Sequence, residues 1–184
     1  CKPFDAARDG INLGEGAGTV ILTSNKKYSY GVKIGGGSVS NDANHISGPS
    51  RTGEELSLAI NKTLQASGIF AKDIGFISAH GTATIFNDEM EAKAIGLSGL
   101  QEVPVNSLKG YYGHTLGAAG LIESIISIQS LKENLVLPTR GFHTSGVSQP
   151  VNICSSVYKS TGAHFLKTAS GFGGCNAAMV FSKQ

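Results

Sequence analysis

From Tyr28 onward, apolar runs of strand length alternate with stretches of helical periodicity, in the order strand, helix, strand, helix, strand, helix, strand, strand. That order restricts the chain to an α/β architecture, a sheet with helices packed on it. Ala17 to Thr23 reads as a first short buried strand, and Tyr28 to Ser38 as a second that ends in a glycine cluster permitting close backbone approach. Thr52 with Glu55 forms a capping-box pattern for a helix through about Ala66, and Gly68 supplies its stop. Ile74 to Ala79 is the next strand, followed by a helix from about Asp88 to Leu97 and a short strand around Val103 to Asn106. A helix from about Leu116 to Lys132 carries apolar residues on most faces, which predicts burial on more than one side. Leu135 to Val157 reads as extended or loop, with Pro138 and Pro150 as breakers. His164 to Ala169 and Ala177 to Ser182 then read as an antiparallel pair around a Gly171 turn.

Such a sheet requires a core, and 184 residues with 40% apolar and 15% charged content provide one domain's worth and exclude disorder. A formal charge of +2 with scattered basic residues excludes an electrostatic nucleic-acid binder. The longest strongly apolar stretch, Leu121 to Leu131, is too short to span a bilayer and is broken by Glu123 and Gln129. Cys1, Cys154 and Cys175 are odd in number and lack metal-like or CxxC spacing, so neither a disulfide framework nor a metal site is expected, and a reducing cytoplasm is the natural setting. The chain opens on Cys1 without a methionine or a signal pattern, which reads as a piece of something longer.

Two glycine-flanked histidines stand out. His80, in His80-Gly81-Thr82-Ala83-Thr84, follows a strand directly and so sits at its C-terminal end, the edge where sites gather in open α/β sheets. His114, in Gly113-His114-Thr115-Leu116-Gly117, precedes a helix N-terminus, whose dipole disfavours the imidazolium. Neutral imidazoles can donate to a carbonyl oxygen that is becoming an enolate. Glu123 interrupts an apolar helix and needs a partner if buried, and Lys109 is the obvious candidate. Thr82 and Thr84 place hydroxyls at alternate positions, suited either to an extended ligand or to the turn itself. The Gly171-Phe172-Gly173-Gly174 turn can bring backbone amides close to an oxyanion or serve only as a hairpin. His45, His143 and His164 read as structural. Gly14-Glu15-Gly16-Ala17-Gly18 precedes a strand rather than a helix and fails as a dinucleotide loop.

The histidine motifs, the Gly171-Phe172-Gly173-Gly174 turn and Lys2-Pro3-Phe4-Asp5 together resemble the β-ketoacyl-acyl carrier protein synthases of the thiolase superfamily. The resemblance runs from residue 2 almost to residue 182 and covers only the second part of that family's chain. It implies the C-terminal half of a thiolase-like fold with a mixed five-stranded sheet, residues 1–24 being the tail of the N-terminal half and 25–184 the C-terminal domain. The Ala17 to Thr23 strand would then lack its neighbours. For the site it implies that His80 and His114 promote decarboxylation of a malonyl thioester, that Lys109 and Glu123 orient His114, and that Thr82 and Thr84 hold phosphopantetheine. Gly171, Phe172 and Gly173 would form a gate for the acyl chain, with Asp88 and Asn176 as supports. Histidine at both positions resembles the elongating synthases of the Cys-His-His type. Ile85-Phe86-Asn87 departs from the commoner Pro-x-Gly before Asp88, and Cys175 stands where threonine is usual. The resemblance further implies an acyltransferase of fatty-acid or polyketide elongation. Its partners would be acyl carrier protein and a homodimer mate, with no bound cofactor beyond the carrier's phosphopantetheine arm and with the nucleophilic cysteine outside this chain. The alternatives are a non-catalytic ketosynthase-like partner, such as a chain-length subunit, and a carrier-protein-binding domain.

Overall fold

The computed structural model describes residues 1–184, in the order β1 (Val32–Asn41), α1 (Glu54–Ser67), β2 (Ile74–Ser78), α2 (Ile85–Leu97), β3 (Val105–Asn106), α3 (Lys109–Tyr112), α4 (Ala119–Glu133), β4 (Leu135–Val136), β5 (Tyr158–Lys159), β6 (His164–Gly171) and β7 (Cys175–Lys183). A five-stranded sheet runs β1-β7-β6-β2-β3, antiparallel from β1 to β6 and parallel from β6 to β3, so it is mixed as expected. β4 and β5 make a separate two-stranded sheet, β4 opening the segment read as extended or loop and β5 following directly after it.

Each face of the sheet has its own core because side chains alternate along a strand. Leu166 of β6 joins Ile60 and Leu64 of α1 and Ile95 of α2 in the larger cluster. Its neighbour Phe165 points to the other face, where Phe76, Phe165 and Phe181 stack with centroids 5.0 and 4.7 Å apart and meet Leu131 of α4.

Several local features differ from the sequence reading. β1 starts at Val32 because Lys26–Tyr28 forms a 3-10 turn capped by the Asn25 side chain. The capping box is absent from α1, whose N-cap is Gly53 in the left-handed region. α2 begins a turn early, taking in Ile85-Phe86-Asn87, so the unusual residues before Asp88 are helical. Ala17 to Thr23 is not a strand: no sheet edge lies beside it, Gly16 and Gly18 face Ile122 and Ile125 of α4, and Ile21 is 87% exposed.

The largest correction concerns α4. Its buried residues are Ala119, Glu123, Ser127, Ser130 and Leu131, whereas Leu121 and Ile125 remain exposed. The helix buries one side, and mostly its polar one. Glu123 faces inward because its cationic partners stand on the sheet side.

Gly53 is fixed by contact as well as by conformation. Its φ is +77°, and a Cβ there would lie 2.7 Å from the Met90 carbonyl oxygen and 2.8 Å from the Ala94 nitrogen, backbone atoms of α2 that cannot step aside. Gly68 has φ +67° but open space around its missing side chain. Urea unfolding of the intact protein should therefore show Gly53→Ala losing about 3 kcal/mol, strain plus overlap, against about 1 kcal/mol for Gly68→Ala.

Candidate active site

β2 ends between its neighbours before its backbone polar groups run out, and buried groups there must find partners. Charged side chains supply most of them. On the α4 face, Lys167 Nζ donates to the carbonyls of Ser78 at 3.0 Å and Ala79 at 3.3 Å, and Lys109 Nζ donates to that of His80 at 2.5 Å. On the opposite face, Glu91 accepts from the His80 and Gly81 amides at 2.9 and 2.6 Å, and Asp88 accepts from the Thr82 amide at 2.9 Å. The Ser107 hydroxyl takes the Gly81 carbonyl at 2.8 Å. His80 is thus presented by a strand end gripped from both sides of the sheet.

The two lysines converge on Glu123. Lys109 Nζ bonds its Oε1 at 2.5 Å, and Lys167 Nζ lies 2.7 Å from Oε2, off the axis of a good hydrogen bond and so chiefly ionic. Burial pushes the Glu123 carboxyl up, but Lys167 and Lys109 more than offset it and hold it below the usual glutamate range. Lys109 is lowered by burial, with Glu123 opposing.

The imidazoles of His80 and His114 meet edge to face, centroids 5.1 Å apart and planes at 83°. Lys109 Nζ stands 3.3 Å from His80 Nδ1, and an ammonium can only donate, so that nitrogen accepts. The Leu116 amide donates to His114 Nδ1 at 2.9 Å. Both neutral rings therefore carry their proton on Nε2. His80 is lowered well below 6.5 by burial, then by Lys109, Lys167 and His114. His114 is lowered by burial and by Lys109, against Glu123; the cause is desolvation and nearby lysines, because a 3-10 turn at Leu116–Ala118 separates it from α4.

Thr82 and Thr84 bond each other through their hydroxyls at 2.8 Å, Thr82 being the more buried. Asp88 also accepts from the Phe4 amide at 2.7 Å, and burial, reinforced by Glu91, pushes its carboxyl up to about 6 against those hydrogen bonds. Gly171, Phe172 and Gly173 lie at the exposed tip of the β6–β7 hairpin, with the Phe172 ring 83% exposed. Asn176 bonds the Gly174 carbonyl at 3.2 Å and accepts from Ser170 at 2.8 Å, fastening the base of that turn. Of the cysteines, Cys154 is buried with its thiol pushed up to about 11, and Cys175 is exposed beside the hairpin tip.

Sequence reasoning missed three participants. Lys167 was hidden in a strand pattern, although a charge between Leu166 and the buried Thr168 was a usable signal. Glu91 follows Asp88 by three residues and so shares its helix face. The N-terminal segment was the third: the His114 amide donates to the Asn12 carbonyl at 2.7 Å, and the Gly14 amide to the His114 carbonyl at 2.9 Å. Gly14 passes so close to Tyr112 that a Cβ would overlap its carbonyl oxygen.

Fold and site together define the C-terminal half of a thiolase-like fold. A family model described as the β-ketoacyl synthase C-terminal domain matches residues 30–143. The chain is 34% identical over 196 residues to 3-oxoacyl-[acyl-carrier-protein] synthase 2 of Vibrio cholerae, covering 99% of this chain and 47% of that one. The crystal structure of a β-ketoacyl synthase from Burkholderia phymatum superposes with a TM-score of 0.94 at 29% identity, covering 100% of this chain and 46% of the other. A type II polyketide synthase acyl-carrier protein in complex with its ketosynthase gives 0.89 at 29% identity, covering 99% and 47%. The chain therefore belongs to the β-ketoacyl-acyl carrier protein synthase family and corresponds to its C-terminal portion. It spans about half the length of the curated relatives it matches.

Removing the shared negative charge should be costly, since two buried ammoniums would face each other with no countercharge between them. Glu123→Gln in the intact protein is expected to lose about 3–5 kcal/mol of stability in urea unfolding at pH 7.

Proposed function

We propose that this chain is the C-terminal catalytic portion of an elongating β-ketoacyl-acyl carrier protein synthase, an acyltransferase of fatty-acid or polyketide synthesis. The observation that carries the reading is the histidine pair. Two neutral rings 5.1 Å apart, each with Nδ1 engaged as an acceptor, keep two Nε2 protons for one oxygen. A malonyl thioester carbonyl bound there becomes an enolate when the carboxylate leaves as carbon dioxide, and both donors stabilise the charge as it grows. The carbanion then attacks an acyl group carried as a thioester on a cysteine outside this chain, forming the carbon–carbon bond and releasing the thiolate.

The reading assigns Lys109 and Glu123 to orienting His114 and fixing the site's electrostatics, with Lys109 in hydrogen-bond contact with His80 instead; it assigns Thr82 and Thr84 to the phosphopantetheine arm of acyl carrier protein, and Gly171, Phe172 and Gly173 to a gate supported by Asn176. Asp88 supports the threonine loop. Residues 1–24 continue from an N-terminal half and 25–184 form the C-terminal domain, in a full-length homodimer. The outward apolar side of α4 and the exposed Ile21 and Leu22 suit cover by that other half. No helix is long and apolar enough to cross a membrane, and three free thiols accord with a cytoplasmic setting.

The test is release of carbon dioxide from malonyl-carrier protein by the intact protein. His80→Ala or His114→Ala should lower that rate by about 10²–10³-fold. An intact protein that binds carrier protein but neither decarboxylates nor condenses would instead be a non-catalytic ketosynthase-like partner. The pH profile is a second check. The neutral imidazole is the active form, and both groups are held below 6.5. The rate should fall on the acid side with a midpoint below pH 6.5.

A further inference from the structure

Lys167 is not needed to neutralise Glu123, because Lys109 already does so at 2.5 Å. Yet a second lysine is buried on the same carboxylate, only 4% exposed, at the cost of desolvating another ammonium. Its position in β6 explains what it reaches. Lys167 lies beside Ser78 in the parallel β2–β6 register, on the α4 face, and its ammonium turns along the end of β2. There it donates to Ser78, Ala79 and, within its own strand, the Thr168 carbonyl at 2.7 Å.

We propose that Lys167 is a positioning residue of the histidine pair: it fixes the two carbonyls that precede His80 and, through Glu123, the ammonium of Lys109 that accompanies His80 Nδ1. The inference rests on the reading of His80 and His114 as the working groups. Lys167 acts in two ways that can be separated. As a clamp it holds the backbone from which His80 projects. As a charge it leaves the trio of Lys109, Lys167 and Glu123 one unit positive beneath the rings, so that protonating His80 is opposed.

The charged and titratable groups around His80 come from every neighbouring element: Lys109 from α3, Lys167 from β6 and His114 from the loop before α4 act on its ring, Glu91 of α2 holds its amide, Glu123 of α4 pairs with both lysines, and Asp88 of α2 holds the following Thr82 amide. Removing Lys167 deletes one cation from that set and leaves Lys109 and Glu123 a neutral pair. A nearby charge in a protein interior moves a titration by about one unit or more.

The experiment is histidine imidazole NMR on the intact protein across pH, with carbon dioxide release measured in parallel. In Lys167→Met the His80 midpoint should rise by about one unit, and the acid limb of decarboxylation should rise with it. Lys167→Gln keeps a donor for the carbonyls but removes the charge. It should raise the midpoint equally while retaining more of the rate at pH 8 than Lys167→Met. Lys167→Gln decides the matter if Lys167→Met does not fold. A folded variant whose His80 midpoint does not move overturns the proposal, as does a common shift of all five histidines. The titration needs no turnover, so absence of decarboxylation in the wild type would strike the functional reading and leave the Lys167 result to be judged separately.

Discussion

One carboxylate shared by two buried ammoniums holds the centre of this structure. Glu123 lies under the end of β2, and between them the lysines bound to it donate to three consecutive carbonyls, those of Ser78, Ala79 and His80. Any of the three charges alone in this interior would be strongly unfavourable. Together they are tolerable, and they do what a further strand would have done for the backbone while leaving the sheet edge open for His80. On the other face Glu91 and Asp88 take the amides of His80, Gly81 and Thr82. The strand end is therefore specified by ionic hydrogen bonds, which are stronger and more directional than packing contacts.

This arrangement separates what the sequence reveals from what it conceals. β2, the β6–β7 hairpin and the left-handed stop at Gly68 were legible, because period-two apolar patterns and a terminal glycine are local signals. So was the Lys109–Glu123 pairing, since a carboxylate in an apolar helix demands an answer. The sidedness of α4 was not legible. Counting apolar residues predicts that they face inward, but Glu123, Ser127 and Ser130 do so here, satisfied by partners distant in sequence or left unpaired as with the Ser127 hydroxyl. Lys167 escaped notice for the same reason: its four oxygen partners come from β2, α4 and its own strand, and no window along β6 contains them. The apolar run from Ala17 to Thr23 misled in the opposite direction, because strand propensity is realised only beside another strand.

The apolar outer side of α4 gives physical meaning to the chain's coverage of half its curated relatives' length. Leu121 and Ile125 lie along it and Leu116 on the turn before it, with the segment through Gly16 and Gly18 crossing it only in part. A helix that sends its charge inward and its hydrocarbon outward is stable where a second layer is waiting.

The N-terminal stretch contributes no side chain to the histidine pair, yet it touches the support of both. The Phe4 amide is held by Asp88, which also fixes the loop after His80, and the backbone at Asn12 and Gly14 brackets His114. Thirty-four positions separate the two histidines along the chain, but a single upstream thread ties their loops to each other. The spacing of the pair is therefore fixed in part by a stretch of backbone that lends it no side chain.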